Sequence, residues 1–178
     1  YGATWYNMNT DVITSLGVSA VAVHPTDPNT IFIGTGDRDS ENTLGKGIYK
    51  STDGGLTWNA KPISTRHDKI VHKIYFNPSD PNIMAIASNY GVFYSVDGGE
   101  TWEKRLTAYI IDMEQKPGDP LTLYAVSKTT FYKSTDFGYN WDPQMTVPTH
   151  RMAIGVTAAN PGKVLLFTTR DSKFYRVY

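Results

Sequence analysis

Short apolar runs alternate along this chain with brief polar turns. Ser19-Ala20-Val21-Ala22-Val23-His24 alternates its small and apolar residues at the two-residue period of a strand. Pro25-Thr26-Asp27-Pro28-Asn29 ends the run as a turn, and Thr30-Ile31-Phe32-Ile33-Gly34 predicts a second strand. A polar loop over residues 35–46 leads to a third run, Gly47-Ile48-Tyr49-Lys50. The order then recurs. Residues 71–76, 83–87 and 91–94 predict the next three strands, with a turn at Pro78-Ser79-Asp80-Pro81-Asn82. A third round uses residues 110–114, 122–126 and 130–133, and a fourth uses 152–157, 164–168 and 174–178. No 10–15-residue helical segment separates the strands, which disfavours a parallel sheet with helices.

Each of the first three rounds ends on one eight-residue pattern, Ser-x-Asp-x-Gly-x-Thr-Trp. It is written Ser51-Thr52-Asp53-Gly54-Gly55-Leu56-Thr57-Trp58 and then Ser95-Val96-Asp97-Gly98-Gly99-Glu100-Thr101-Trp102. The third copy is Ser134-Thr135-Asp136-Phe137-Gly138-Tyr139-Asn140-Trp141, and the chain opens on a tail, Gly2-Ala3-Thr4-Trp5. A strand followed by Asp-Gly-Gly reads as a hairpin. Glycine supplies the positive φ of the turn, and a short Asp side chain accepts nearby backbone N–H groups. The Trp begins the return strand and is expected to be largely buried against its own hairpin. The spacing Trp5–Trp58–Trp102–Trp141 is 53, 44 and 39 residues, the period of propeller blades of short strands. The excess in the first repeat is the loop 35–46, an insertion of about nine residues when the Ile33–Ile48 and Ile86–Val92 spacings are compared.

The pattern resembles the Asp box, or bacterial neuraminidase repeat. The resemblance implies an all-β fold, a β-propeller of four-stranded antiparallel blades with Asp-box hairpins, here an arc of a larger ring of six to eight blades, the alternative being a four-bladed ring in which the strand of Trp5 completes the last sheet. The expected organisation is the last strand of a preceding blade over 1–8, blades over 18–60, 70–106 and 109–143, and a partial blade over 150–178. Val177 is read as standing where a fourth box would have its Ser. In that family the box is a structural staple away from the ligand face. The resemblance therefore gives Ser51, Asp53, Gly55, Thr57, Trp58, Ser95, Asp97, Gly99, Thr101, Trp102, Ser134, Asp136, Gly138, Trp141 and Trp5 a structural role. Asp-box propellers include sialidases, xyloglucan-cleaving glycosidases, sortilin-like receptors and photosystem assembly factors. The loop Gly34-Thr35-Gly36-Asp37-Arg38-Asp39 is most similar to repeats in large cell-surface proteins of bacteria that use type IX secretion.

Charge changes this picture by exclusion. The chain has 178 residues, with 17 basic and 17 acidic, and no basic run of the kind that binds nucleic acid. It has no cysteine, so disulfides and thiolate metal sites are excluded. No window approaches 18 apolar residues, so no membrane-spanning helix is expected. Tyr1 lies inside a motif, and the chain reads as a piece of something longer.

Candidate chemistry is sparse. A sialidase needs three clustered arginines; Arg38, Arg66, Arg105, Arg151, Arg170 and Arg176 are scattered, none in an Arg-Ile-Pro context. A glycosidase needs two carboxylates facing across a cleft. Asp37, Asp39 and Glu41 cluster on the inserted loop, and Asp112 and Glu114 fall on an inner strand, where Asp112 is expected to face a wet central channel. The loop trio places alternating oxygen ligands, as a loose Ca²⁺ site would, without the Gly and distant Glu of an EF-hand. A solvated loop face is the plainer reading, and no cofactor is expected. His24, His67, His72 and His150 lack a second His at i+3 or i+4, so no zinc site is expected. Tyr6, Tyr90, Tyr109 and Tyr139 suit sugar or protein contact as well as ordinary strand and turn positions.

Two function classes follow. One is a secreted or cell-surface module that binds protein or glycan without catalysis, with Asp37, Arg38, Asp39 and Glu41 as candidate ligand loop. The other is a carbohydrate-active enzyme whose catalytic residues lie partly outside this segment.

Overall fold

The computed structural model describes residues 4, 13, 17–37, 45–63, 70–149, 151–171 and 173–178. Trp5, Tyr6, Arg38, Asp39, Glu41, Arg66, His67 and His150 lie outside them. The first sheet contains β1 (Val18–Val23), β2 (Ile31–Thr35), β3 (Ile48–Ser51) and β4 (Asn59–Lys61). The second contains β5 (Val71–Phe76), β6 (Met84–Ser88), β7 (Gly91–Ser95) and β8 (Glu103–Leu106). The third contains β9 (Asp112–Gln115), β10 (Leu123–Val126), β11 (Thr130–Ser134) and β12 (Asp142–Thr146). The fourth has three strands, β13 (Arg151–Val156), β14 (Val164–Arg170) and β15 (Lys173–Val177).

All pairings are antiparallel between consecutive strands, so each sheet is a meander. Strand β1 lies beside β5, β5 beside β9, and β9 beside β13. The first strand of every sheet therefore lines the inside, and the sheets stand side by side as propeller blades.

Side chains alternate across each sheet, so each sheet has two apolar flanks. One flank faces the blade before it. Met84, Ile86 and Phe93 of the second blade pack there against Phe32 and Ile48 of the first. The other flank faces the blade after. Ala85, Ala87, Val92 and Tyr94 meet Met113, Leu123 and Ala125 of the third blade. Tyr124 and Val126 in turn meet Met152, Ile154 and Leu166 of the fourth. The core is therefore a row of inter-blade layers, and no blade has a core of its own.

The pairing register corrects one expectation from the sequence. Ser51, Ser95 and Ser134 pair with Ile31, Met84 and Leu123, each the first residue of its second strand. In the fourth sheet that first residue is Val164, whereas Val177 pairs with Phe167. Val177 thus occupies the place of Ile48, Val92 and Phe131, which pair with Gly34, Ala87 and Val126. It does not occupy the place of the box Ser. The bulge between Thr168 and Thr169 hides this from a count of residues along the chain.

Candidate functional site

In each box the Ser and Asp close the turn on themselves. The Ser51 hydroxyl donates to Asp53 Oδ1 at 2.7 Å and accepts the Gly55 N–H at 2.8 Å. Asp53 accepts the Thr57 N–H at 2.9 Å and the Thr57 hydroxyl at 2.6 Å. Asp97 repeats this with Thr101, at 2.9 and 2.5 Å, and Ser95 with Gly99 at 3.0 Å. The third box reaches the same geometry with different residues. Asn140 donates its N–H at 2.9 Å and its side-chain amide at 2.7 Å to Asp136. Gly54 and Gly98 adopt φ 72° and 67°, and Phe137 takes the same left-handed place at φ 59°.

A further bond ties each box to the first turn of its own blade. The N–H groups of Gly54, Gly98 and Phe137 donate to the carbonyls of Asn29, Asn82 and Leu121. Two loops at one end of each blade thus become a single unit. The tryptophans are less buried than the sequence suggests. Trp58, Trp102 and Trp141 are half-buried. Trp102 and Trp141 lean on the inter-blade layers, and Trp141 Nε1 donates to the Gly138 carbonyl at 2.9 Å.

These hydrogen bonds set the charge of the box. Donation by the Thr57 hydroxyl and N–H and by Ser51 holds the Asp53 carboxyl at a pKa of about 2. For Asp97, partial burial pulls upward, but the Thr101 and Ser95 bonds outweigh it and the value is also about 2. Asp136 is likewise lowered, with its bonds from Asn140 and Ser134 outweighing burial. Such carboxylates stay ionised and saturated with donors, which unfits them for proton transfer.

The position after the glycines reaches back to the blade before. Glu100 takes the Lys50 ammonium at 2.7 Å and is also bonded by Lys61. Its pKa is lowered by those two lysines. Tyr139, considered above for ligand contact, instead lies under the Arg105 guanidinium at 3.6 Å and edge-on to Tyr94.

The inner strands carry a second polar cluster. Lys73 donates to Glu114 at 2.7 Å and lies 3.9 Å from Asp112. The Tyr75 hydroxyl reaches Glu114 at 3.3 Å and the Met113 carbonyl at 3.1 Å. Asp112 accepts the Ile154 N–H of the next blade at 3.1 Å. Asp112 is only 9% exposed, so it does not face a wet channel as the sequence suggested. The Val126 and Ile154 strands on either side cover it. Burial pushes its pKa up, opposed by the Ile154 N–H and Lys73. Burial and the Glu114 charge also raise Tyr75. The sequence carries a signal for Lys73 and Tyr75. In repeat register they stand at the places of Ala20 and Ala22, as Asp112 and Glu114 do one blade on.

The remaining candidates are dispersed. Of the ligand loop only Asp37 is described, just past the end of β2. Tyr90 stacks on Phe93, with the Lys104 ammonium 3.2 Å from its ring centre, and Lys128 lies 5.1 Å from the Tyr109 ring. Arg105 is on the outer strand β8; Arg151, Arg170 and Arg176 are on the three strands of the fourth sheet. His24 packs edge-on to Phe76, and His72 is buried on β5. Among the described residues no group of three or more His, Asp or Glu is placed to hold a metal ion. Among the described residues no helix is long and apolar enough to cross a membrane.

The BNR/Asp-box repeat pattern matches residues 49–60 and 93–104, the first two boxes with their flanking strands. Xyloglucanase Xgh74A of Acetivibrio thermocellus is 26% identical over 192 residues, covering 84% of this chain and 22% of that protein. This chain thus spans about a fifth of the length of the curated relatives it matches. Among solved structures, the GH74 enzyme of Niastella koreensis superposes with a TM-score of 0.65 at 17% identity, over 86% of this chain and 28% of that one. YCF48 bound to D1 peptide superposes at 0.58 and 15% identity, over 91% of this chain and 51% of that one. At these identities the likeness is one of fold. The chain is built of β-propeller blades that carry Asp-box repeats.

Proposed function

We propose that this β-propeller is a non-catalytic recognition or scaffold module at a bacterial cell surface, with a protein or glycan as its partner. The observation that carries this reading is how six of its described carboxylates are used. Asp53, Asp97 and Asp136 are saturated inside their own boxes. Glu100 is held by two lysines, and Asp112 and Glu114 share Lys73 between blades. A hydrolase needs an acid and a base that face a substrate, and these groups are taken up inside their own boxes or between blades. The inserted loop at 35–46, with Asp37, Arg38, Asp39 and Glu41, is the natural place for partner contact, since binding residues concentrate on long loops over a rigid scaffold. YCF48, a fold neighbour, offers a precedent for a peptide ligand. Export by type IX secretion fits the repeat type.

A second reading is glycoside hydrolysis, favoured by the similarity to xyloglucanase Xgh74A. One experiment separates the two. The protein is incubated with xyloglucan and reducing ends are measured, while binding is read on glycan and peptide arrays. We expect no release of reducing ends, and array binding that disappears on deletion of residues 37–44 with the unfolding midpoint nearly unchanged. Xyloglucan cleavage abolished by Glu114→Gln would replace the scaffold reading with the enzymatic one.

A further inference from the structure

The Asp box carries a chemical weakness as well as a turn. Asp53-Gly54 and Asp97-Gly98 are the two Asp-Gly bonds of the sequence, which has no Asn-Gly. In such a pair the glycine nitrogen attacks the aspartyl side chain readily, because no Cβ shields it. The Gly N–Asp Cγ bond forms, the Cγ–OH bond breaks, and the hydroxyl leaves with the amide proton as water. Water then adds back across either carbonyl of the resulting succinimide. Opening at the α-carbonyl leaves an isoaspartyl link, unchanged in mass, with the chain now running through the side-chain methylene.

The folded boxes engage both groups that this reaction needs. The attacking nitrogens are committed elsewhere: the Gly54 N–H donates to the Asn29 carbonyl at 2.9 Å, and the Gly98 N–H to the Asn82 carbonyl at 2.9 Å. The carboxylates are held as well. Asp53 accepts the Ser51 hydroxyl and the N–H and hydroxyl of Thr57, and Asp97 accepts the same set from Ser95 and Thr101. The leaving hydroxyl exists only on the neutral acid. A carboxyl with a pKa of about 2 rather than about 3.9 is neutral roughly a hundred times less often at any pH above both. Burial does not seal these sites, since Asp53 is half-buried and Asp97 exposed. The third box is an internal comparison. Asp136 has equivalent bonds from Ser134 and Asn140, but the next residue is Phe137, whose side chain hinders its nitrogen.

We propose that the box hydrogen bonds lock Asp53-Gly54 and Asp97-Gly98 against succinimide formation, and that opening of either box turns its Asp-Gly bond into an isoaspartate site. The third box opens without this consequence. The lesion is permanent for its blade. An isoaspartyl link inserts a methylene between the Asp53 Cα and Gly54 and takes the carboxylate off the side chain. The bond from Gly54 to Asn29 and those from Thr57 to Asp53 then lose their geometry together. This durability of the scaffold does not depend on what the propeller binds.

The test is isoaspartate formation, site by site, in the protein kept folded and in the protein unfolded in guanidinium, at one mildly acidic pH and one temperature. Peptides are read by electron-transfer fragmentation, which distinguishes the two linkages. In the unfolded chain isoaspartate is expected to accumulate at Asp53 and Asp97 and to lag far behind at Asp136. In the folded protein both Asp-Gly sites are expected to slow at least about tenfold, because reaction then waits on local opening. Thr57→Val removes one donor to Asp53 and should speed that site alone, leaving Asp97 at its wild-type rate. Should Thr57→Val fail to fold by circular dichroism, Thr101→Val is read instead, with Asp97 as the site that responds; the comparison of folded with unfolded protein stands on the wild type alone. Slowing of less than about tenfold at either site overturns the lock. So does a folded valine variant whose own box keeps the wild-type rate, or one in which both boxes speed up together.

Discussion

The box aspartate is a residue whose partners can be read from the sequence, because all of them lie within six positions of each other. Ser51, Asp53 and Thr57 needed no tertiary information to be paired. The substitutions in the third box were harder to interpret. Asn140 looks like a loss of Thr, yet its side-chain amide replaces the Thr hydroxyl as a donor to Asp136, beside the same backbone N–H. Asp53 and Asp97 have folded pKa values of about 2, below the ordinary carboxylate value of about 3.9. A depressed folded pKa contributes stability that is fully present above the unfolded value and is lost as pH falls through the folded one. Resistance to urea unfolding is therefore expected to weaken progressively as the pH falls from about 4 to about 2. In the Asp53→Asn/Asp97→Asn variant that slope should be much shallower. An equal acid slope in both proteins would mean that other groups drive it.

At the scale of the element, the blades share strands and turns but differ in how they fill the space between them. Gly99 sits so close to Phe32 of the first blade that a Cβ there would lie 2.6 Å from the ring. One blade on, the place of Phe32 is taken by Ala85, and a Cβ on Gly138 would lie 3.4 Å from the Ala85 methyl and 3.3 Å from Leu123, without the overlap that Phe32 imposes on Gly99. The ring that fills this layer is Phe137, 1% exposed, coming from the box side. A non-glycine residue in the left-handed region costs about 1–2 kcal/mol, and full burial of a Phe returns roughly 1.5–3 kcal/mol. Phe137 in a turn that favours glycine is thus explained by the small Ala85 of the preceding blade. That is why the sequence alone gives it only as a departure from the pattern. Ala85→Phe should then overpack the layer and destabilise by about 1–3 kcal/mol. Ala85→Phe with Phe137→Gly should recover much of that loss, because it recreates the first layer in the second. A double-mutant cycle from chemical denaturation measures the coupling. Simple additivity would refute the exchange.

For the whole molecule, blades are joined by polar contacts near the inside as well as by apolar layers. The Ser19 hydroxyl donates to the Val71 carbonyl at 2.6 Å, Lys73 bridges to Glu114, and Asp112 holds the Ile154 N–H. The repeat and blade order were legible from the sequence, since turns and boxes recur at a regular period. These contacts were not, because each joins residues about 40 to 50 positions apart. Asp112 carries a raised pKa, so its charged form weakens the fold above that value and protonation relieves it, the reverse of the box aspartates. Asp112→Ala should orphan the Ile154 N–H and cost about 1–3 kcal/mol. Asp112→Asn keeps an acceptor without a buried charge and should be near neutral at pH 7. Loss of amide-exchange protection at Ile154 in the alanine variant alone would locate the effect; equal loss in both would point to the charge.

The alternation of Phe32 with Gly98 and of Ala85 with Phe137 also makes the order of the blades part of the sequence. Duplicate the second blade in tandem, and Ala85 would face Gly98 and Gly99, leaving a hole where a ring belongs. Duplicate the third, and Tyr124 would be driven against Phe137. The blades look like interchangeable copies when written as strings, but each is cut to fit one neighbour. A permuted or shuffled array of them would have to be recut at every seam.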